Sequence, residues 1–278
     1  MFRSALLGLL ALLTGLHWPA PASAQQFRVY TQVKRITVDE QDNEHRELMA
    51  RSVSLFYAGK VYDWIPVVGE VTIFEPAQER FIVIGTRQML VTFVPFDEIM
   101  RRLDQARDET KSYALQLRER SQREATQIAE PLLFQLSPQF QKQFEPATKQ
   151  LVLSSPRFTY SVECQSSDIP ESADAYLNYA DWGARLNHVL HPQSLYPEPR
   201  LQLNQALRVH HQIPSKVQLR VAFDKPLHLL AEHRFDWELL SDDRQSINHW
   251  ELLLKNENLK EVSFREYQRA VVLSASKK

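Results

Sequence analysis

The chain has 278 residues, 33 basic and 34 acidic, for a formal charge of −1. That balance leaves no basic field to draw in nucleic acid or an anionic membrane surface. A single cysteine excludes an intramolecular disulfide, and six glycines with no GxGxxG or GxxxxGK[ST] exclude the common phosphate-binding loops. A hydrophobic content of 44% is enough to build a packed core without either device.

Residues 1–24 read as a secretory signal: Arg3 at the start, an apolar run from Ala5 to Leu16, and Ala22-Ser23-Ala24 as the cleavage site. The apolar run is shorter than the roughly 20 residues that span a bilayer. No cysteine follows the cleavage site to carry a lipid anchor. The expected product is a soluble, unanchored protein of about 254 residues in the periplasm or outside the cell.

Phe27 to Val38 alternates as a first strand, with Phe27, Val29, Thr31 and Val33 on one side, and Asp39 to Arg46 reads as a polar loop. From Ser52 to Phe96 come five β-forming runs, SVSLFYAG, KVYDWI, EVTIFE, RFIVIG and QMLVTFV. Their short gaps permit only antiparallel neighbours. The later runs are apolar on both faces, so something covers each side of the sheet. A charged helix from about Asp97 to Ile128 covers one, through a stripe of Ile99, Leu103, Ala106, Tyr113 and Leu117. Asp97 is its expected cap and Pro131 its stop. The other face meets the C-terminal half or encloses a ligand.

Short helices are expected at Leu132–Leu136 and Pro138–Phe144, and strands at Thr148–Leu153 and Arg157–Gln165. A helix capped near Ser172 runs to Pro192. Leu201–His210 reads as helix, Val217–Phe223 as strand, Leu227–Leu240 as extended, Arg244–Leu254 as helix, and Glu261–Leu273 as either. The fold class is therefore α+β: a curved antiparallel sheet packed on a long helix, with a C-terminal α/β portion. The expected division places the sheet and helix in residues 25–155 and the C-terminal portion in residues 156–278.

No catalytic or metal-binding set stands out, and no cofactor is implied. His188 and His191 share a helix face and His210-His211 lies in the same half, but the third ligand and the tight spacing of a zinc site are missing, and helix-end histidines explain the pattern better. Asp236 and Glu238 beside Trp237 resemble a glycosidase pair, yet they also fit an edge strand, and Asp242-Asp243 fits the cap of the next helix. Cys164 lies in a strand-like run and reads as a buried, inert thiol. No GxSxG elbow occurs. Tyr176, Tyr179, Trp182, Arg185 and Asn187 trace an aromatic and polar stripe on the Ser172–Pro192 helix. It suits core packing, a ligand groove or a protein partner.

The succession from Phe27–Val38 through SVSLFYAGKVYDWI to EVTIFEPAQERFIVIGTRQMLVTFVPFDEI resembles the periplasmic lipoprotein-carrier family over about residues 27–99. The resemblance implies an antiparallel half-barrel wrapped over helices, with an acyl-chain cavity against the sheet. The carriers place a helix before the first strand, which this chain lacks. The function expected is a non-enzymatic carrier or binding protein for an apolar ligand, a lipid or lipidated protein, with transient contact to an envelope membrane. Alternation assigns the lining to Leu55, Tyr57, Trp64, Ile73, Phe81, Val83, Met89, Val91 and Phe93. The alternatives are an envelope interaction module, using the charged helix or the Tyr176–Asn187 stripe, and a hydrolase built on the carboxylates or histidines. Sequence sets neither ligand identity nor oligomeric state.

Overall fold

A computed structural model describes residues 26–275 apart from 121, 168, 224 and 225. The signal assigned to residues 1–24 lies outside the described residues. The fold is α+β, with twelve strands in one curved open sheet and six helices.

The N-terminal strands form an antiparallel meander: β1 (Phe27–Val38), β2 (Glu44–Tyr57), β3 (Lys60–Ile65), β4 (Glu70–Glu75), β5 (Arg80–Gly85) and β6 (Leu90–Pro95). Ala58 and Gly59 both take positive φ, 51° and 75°, the backbone twist that joins β2 to β3 in a two-residue hairpin. The expected Asp39–Arg46 loop is shorter than read. The Asp39 carboxylate accepts the backbone N–H groups of Gln41 and Asn43 at 2.9 Å each, which closes the turn and lets β2 start at Glu44. Met49 bulges out of β2, because Val33 faces Ala50 while Lys34 faces Leu48.

The expected long helix is two helices. Helix α1 (Phe96–Glu119) and helix α2 (Arg123–Leu136) form an antiparallel hairpin, joined through Ala114, Leu117, Ala125 and Ala129. Pro131 sits inside α2 rather than stopping it. Arg118 pairs with Glu130 across the hairpin at 3.2 Å. Helix α1 begins one residue before Asp97, so Asp97 lies in the first turn, where its charge complements the helix dipole.

The expected helix at Pro138–Phe144 is instead mostly strand β7 (Gln141–Glu145), followed by β8 (Gln150–Ser155) and β9 (Phe158–Ser166). Helix α3 (Pro170–Leu190) starts before Ser172, which is buried in its first turn rather than capping it. Helix α4 (Glu198–Val209) leads into β10 (Gln212–Val221) and β11 (Leu227–Asp236). Helix α5 (Ser241–Leu253), a two-residue strand β12 (Lys260–Glu261) and α6 (Phe264–Ala275) complete the described chain.

The sheet order is β12-β6-β5-β4-β3-β2-β1-β11-β10-β9-β8-β7. Strand β1 lies between β2 and β11, so the start of the described chain is bonded to a strand some 200 residues later; Thr31 faces His233. A boundary at residue 155 falls between β8 and β9, which are hydrogen-bonded neighbours, and the largest core crosses it.

Strict alternation sorts the two faces. One carries Phe27, Val29, Phe56, Phe74, Phe81 and Val94, packed under Ile99 and Leu103 of α1, Tyr176 and Leu186 of α3, Leu203 and Leu207 of α4, and Phe264 and Tyr267 of α6. The opposite face carries Leu55, Tyr62, Val71, Ile73, Ile82, Ile84 and Val91 under Ile247 and Trp250 of α5. This explains why β4 to β6 read as apolar on both sides: helices cover each.

Candidate functional site

On the face under α1, α3, α4 and α6, strands β2, β3, β4 and β6 change from apolar to polar within two residues. Phe56, Val61, Phe74 and Phe81 form one apolar row. Two residues along, the next row reads Ser54, Asp63, Thr72, Val83 and Thr92, all buried. The row beyond it holds His233, Thr31, Ser52, Ile65, Glu70 and Gly85. A polar band thus crosses an interior surface, where unsatisfied polar groups cost most.

Much of the band is hydrogen-bonded within itself and to the helices, while the buried Thr92 hydroxyl has no partner among the described residues. Ser54 Oγ donates to Asp63 Oδ1 at 2.5 Å, and the hydroxyls of Tyr179 and Ser52 also lie beside that carboxyl. Burial outweighs these donors and pushes Asp63 up to about 6. Glu70 is likewise raised by burial, while Tyr267 of α6 donates to its Oε2 at 2.8 Å. A Cβ at position 85 would stand 3.4 Å from the Tyr267 hydroxyl and 2.9 Å from Gln88 Oε1, so glycine there keeps the space the tyrosine crosses. Thr31 Oγ1 and His233 Nδ1 are 3.0 Å apart, and His233 Nε2 is buried without a partner.

Above the band, α3 leaves a cavity of about 380 Å³. Asp63, Ile65, Glu70, Thr72 and Phe81 form its sheet wall, and Tyr179, Gly183, Ala184, Leu186, Asn187 and Leu190 its helix wall. His191 and Arg200 complete the lining. The space exists because α3 presents Ala180, Gly183 and Ala184 there; a Cβ on Gly183 would touch nothing closer than Tyr179 Cζ at 4.0 Å.

The expected lining residues are divided by the sheet. Leu55, Ile73 and Val91 are buried beneath α5, with Tyr57, Trp64 and Phe93 packed at the margin of that cluster. Phe81 and Val83 belong to the opposite face, and only Phe81 lines the cavity. Met89 is not on a strand; it sits in the turn before β6 with φ 54°. Alternation does not set the phase of one strand against the next: on β5, Phe81 and Val83 face away from the side of Leu55, Ile73 and Val91, which takes Ile82 and Ile84.

Most of the α3 stripe is held against neighbouring side chains, whereas Asn187 is exposed. Tyr176 packs on Phe235 with ring centroids 5.0 Å apart, Trp182 stacks on Phe96 at 3.7 Å, and Arg185 lies over Trp182 at 5.1 Å. Tyr179 and Asn187 line the cavity. Its ligand-groove reading therefore falls where the geometry opens. Asp63, Glu70, Thr72 and Arg200 escaped the sequence reading. The available signal was Asp63 and Thr72 at positions whose two-residue neighbours, Val61 and Phe74, are buried.

The other chemistry candidates disperse. His188 is buried, with Nδ1 3.2 Å from the Ser194 carbonyl, and burial lowers its pKa. His210 stacks on Phe144 at 4.2 Å. Asp236 lies 3.4 Å from Arg28, whereas Glu238 is exposed in the bend after β11, so the two do not share a strand face. Asp243 Oδ2 accepts the Leu240 N–H at 2.8 Å, the helix-start role read for the Asp242-Asp243 pair. Cys164 is buried and its thiol pushed up to about 11. Among the described residues, no three metal-ligating side chains cluster, and no helix is long and apolar enough to cross a membrane.

Comparison with protein-family models and with curated proteins finds no match to this chain.

Proposed function

We propose that this protein is a non-enzymatic binding protein whose ligand, a small and largely apolar molecule with a polar end, sits between β3–β5 and α3. The observation that carries this reading is the cavity itself. At about 380 Å³ it falls within the roughly 300–1,000 Å³ of small-molecule sites. Its wall combines an apolar surface from Ile65, Phe81, Leu186 and Leu190 with convergent polar groups from Asp63, Glu70, Tyr179 and Asn187. Fixed polar groups in an apolar wall select an orientation as well as a shape. The reading keeps the apolar ligand of the carrier expectation and moves its seat from the strand residues under α5 to the space under α3. With export, such a protein would act as a carrier or receptor in the cell envelope.

The test is native mass spectrometry of the full chain, purified without detergent and then extracted with organic solvent, beside Gly183→Leu. The leucine side chain grows into the open space at Gly183. A small molecule released from the wild type and missing from Gly183→Leu is the expected result. Equal release from both, or no release together with no uptake of any small amphiphile, sinks the reading.

A further inference from the structure

Resting on that cavity reading, we infer that its ligand is an organic oxyanion, a carboxylate or phosphate on a short apolar tail, with the charged end held by Arg200. Arg200 enters the cavity from the first turns of α4. Its Nε donates to Asn204 Oδ1 at 3.1 Å, and Asn204 is fully buried. Asn204 Nδ2 in turn donates to Asp181 Oδ1 at 2.7 Å, and the other oxygen of Asp181 takes the charge of Arg208 at 2.7 Å. The chain fixes the guanidinium's direction through a neutral amide while spending the carboxylate on a different arginine. Among the described residues Arg200 has no ion pair of its own, although it is half-buried.

Its other neighbours do not neutralise it. The Tyr176 hydroxyl lies beside it, and its charge reaches Tyr160, where it opposes the rise that burial causes, and His233, where it adds to the lowering that burial causes. The two carboxyls of the cavity already have hydroxyl donors, from Ser54 to Asp63 and from Tyr267 to Glu70, and burial pushes both toward the neutral acid. A guanidinium with unused N–H groups in a fork geometry, set at the end of an apolar space, matches a carboxylate or phosphate better than a cation or a neutral alcohol.

The experiment is isothermal titration of the full chain with four probes of one tail length: octanoate, octyl phosphate, 1-octanol and octylamine. It is run on the wild type, Arg200→Met, Arg200→Lys and Gly183→Leu, each first checked for a native circular-dichroism spectrum. The expected result is binding of one or both anions and not of the alcohol or the amine. Arg200→Met should weaken anion binding by roughly tenfold or more, the loss of a charge-assisted hydrogen bond, Arg200→Lys by less, and Gly183→Leu should abolish it. Octanoate alone or octyl phosphate alone would assign the headgroup. Binding of the alcohol or amine at least as tight as the anions, lost in Gly183→Leu but unchanged in Arg200→Met, overturns the oxyanion while leaving the cavity reading intact. Binding of no probe by the wild type, or anion binding unchanged in Gly183→Leu, overturns both.

Discussion

His233 and Asp63 sit on the same polar band with two strands between them, and they respond to pH in opposite senses. Burial, and then the charge of Arg200, lowers His233 to about 3. As pH falls below the ordinary histidine value of about 6.5, the unfolded chain takes up the proton first and stability is lost. At pH 4.5 this amounts to roughly 2–3 kcal/mol. Asp63 is raised instead, so its contribution is fully present below the unfolded aspartate value and is lost as pH rises through about 6. Urea denaturation should therefore show His233→Gln flattening the acid limb between pH 7 and 4.5, and Asp63→Asn removing the opposing slope between about pH 4 and 7. A variant pair with unchanged slopes would show that neither group is held in its buried form. Gly183 makes a separate point. It lies in the middle of α3 with room for a methyl group, so Gly183→Ala should stabilise the protein by about 0.5–1 kcal/mol. A substitution that stabilises yet narrows the cavity implies that glycine is retained there for the space.

Among the described residues, α5 is the sole helix contributing to the buried cluster on the face opposite α3. Trp250 is its anchor, with its ring centroid 6.2 Å from those of both Tyr62 and Trp64, and the neighbouring Glu251 accepts the Tyr62 hydroxyl at 2.5 Å. Trp250→Ala should cost about 3–5 kcal/mol in chemical denaturation, the range for a large buried aromatic. Less than 1 kcal/mol would mean that α5 lies loosely on the sheet. Most of the strand meander from Phe27 to Pro95 was legible because alternation and turn residues agree, the exceptions being the polar first half of β2, Glu44–Arg51, and Met89 in the turn before β6. The helical hairpin was not. Residues 120–122 carry neither glycine nor proline to mark a break, although the apolar positions skip from Leu117 to Ala125. What separates α1 from α2 is tertiary: Leu117 packs on Ala125 and Ala129, contacts that a continuous helix would forbid. Strand β7 was missed for a related reason, since QKQFE has one half-buried apolar residue, Phe144, and takes its extended form from pairing with β8. The cavity was half legible: the α3 stripe pointed to it, while Asp63 and Arg200 required the register of β3 and the packing of α4.

At the scale of the whole molecule, the sheet and the core under α1, α3 and α4 run through both sequence halves, so thermal unfolding should follow one cooperative transition. Near-ultraviolet circular dichroism and intrinsic fluorescence should give coincident midpoints; two resolved steps would mark independent domains. The fragment 26–155 should fail to reach a native fold alone, because β1 would lose its partner β11 and the row of Val29 and Thr31 its cover. The placement of β1 also sets an order of events. Strands β1 to β6 can zip by short hairpins as soon as they emerge, but the far side of β1 stays bare until residue 236 has emerged. During that interval the nascent chain carries a long, unpaired and partly apolar strand edge, the kind of template that captures neighbouring chains. Closing it requires a contact across some 200 residues, a high-contact-order step that folds slowly. The first strand of the meander is completed almost last, and its open edge is what has to be shielded in the meantime.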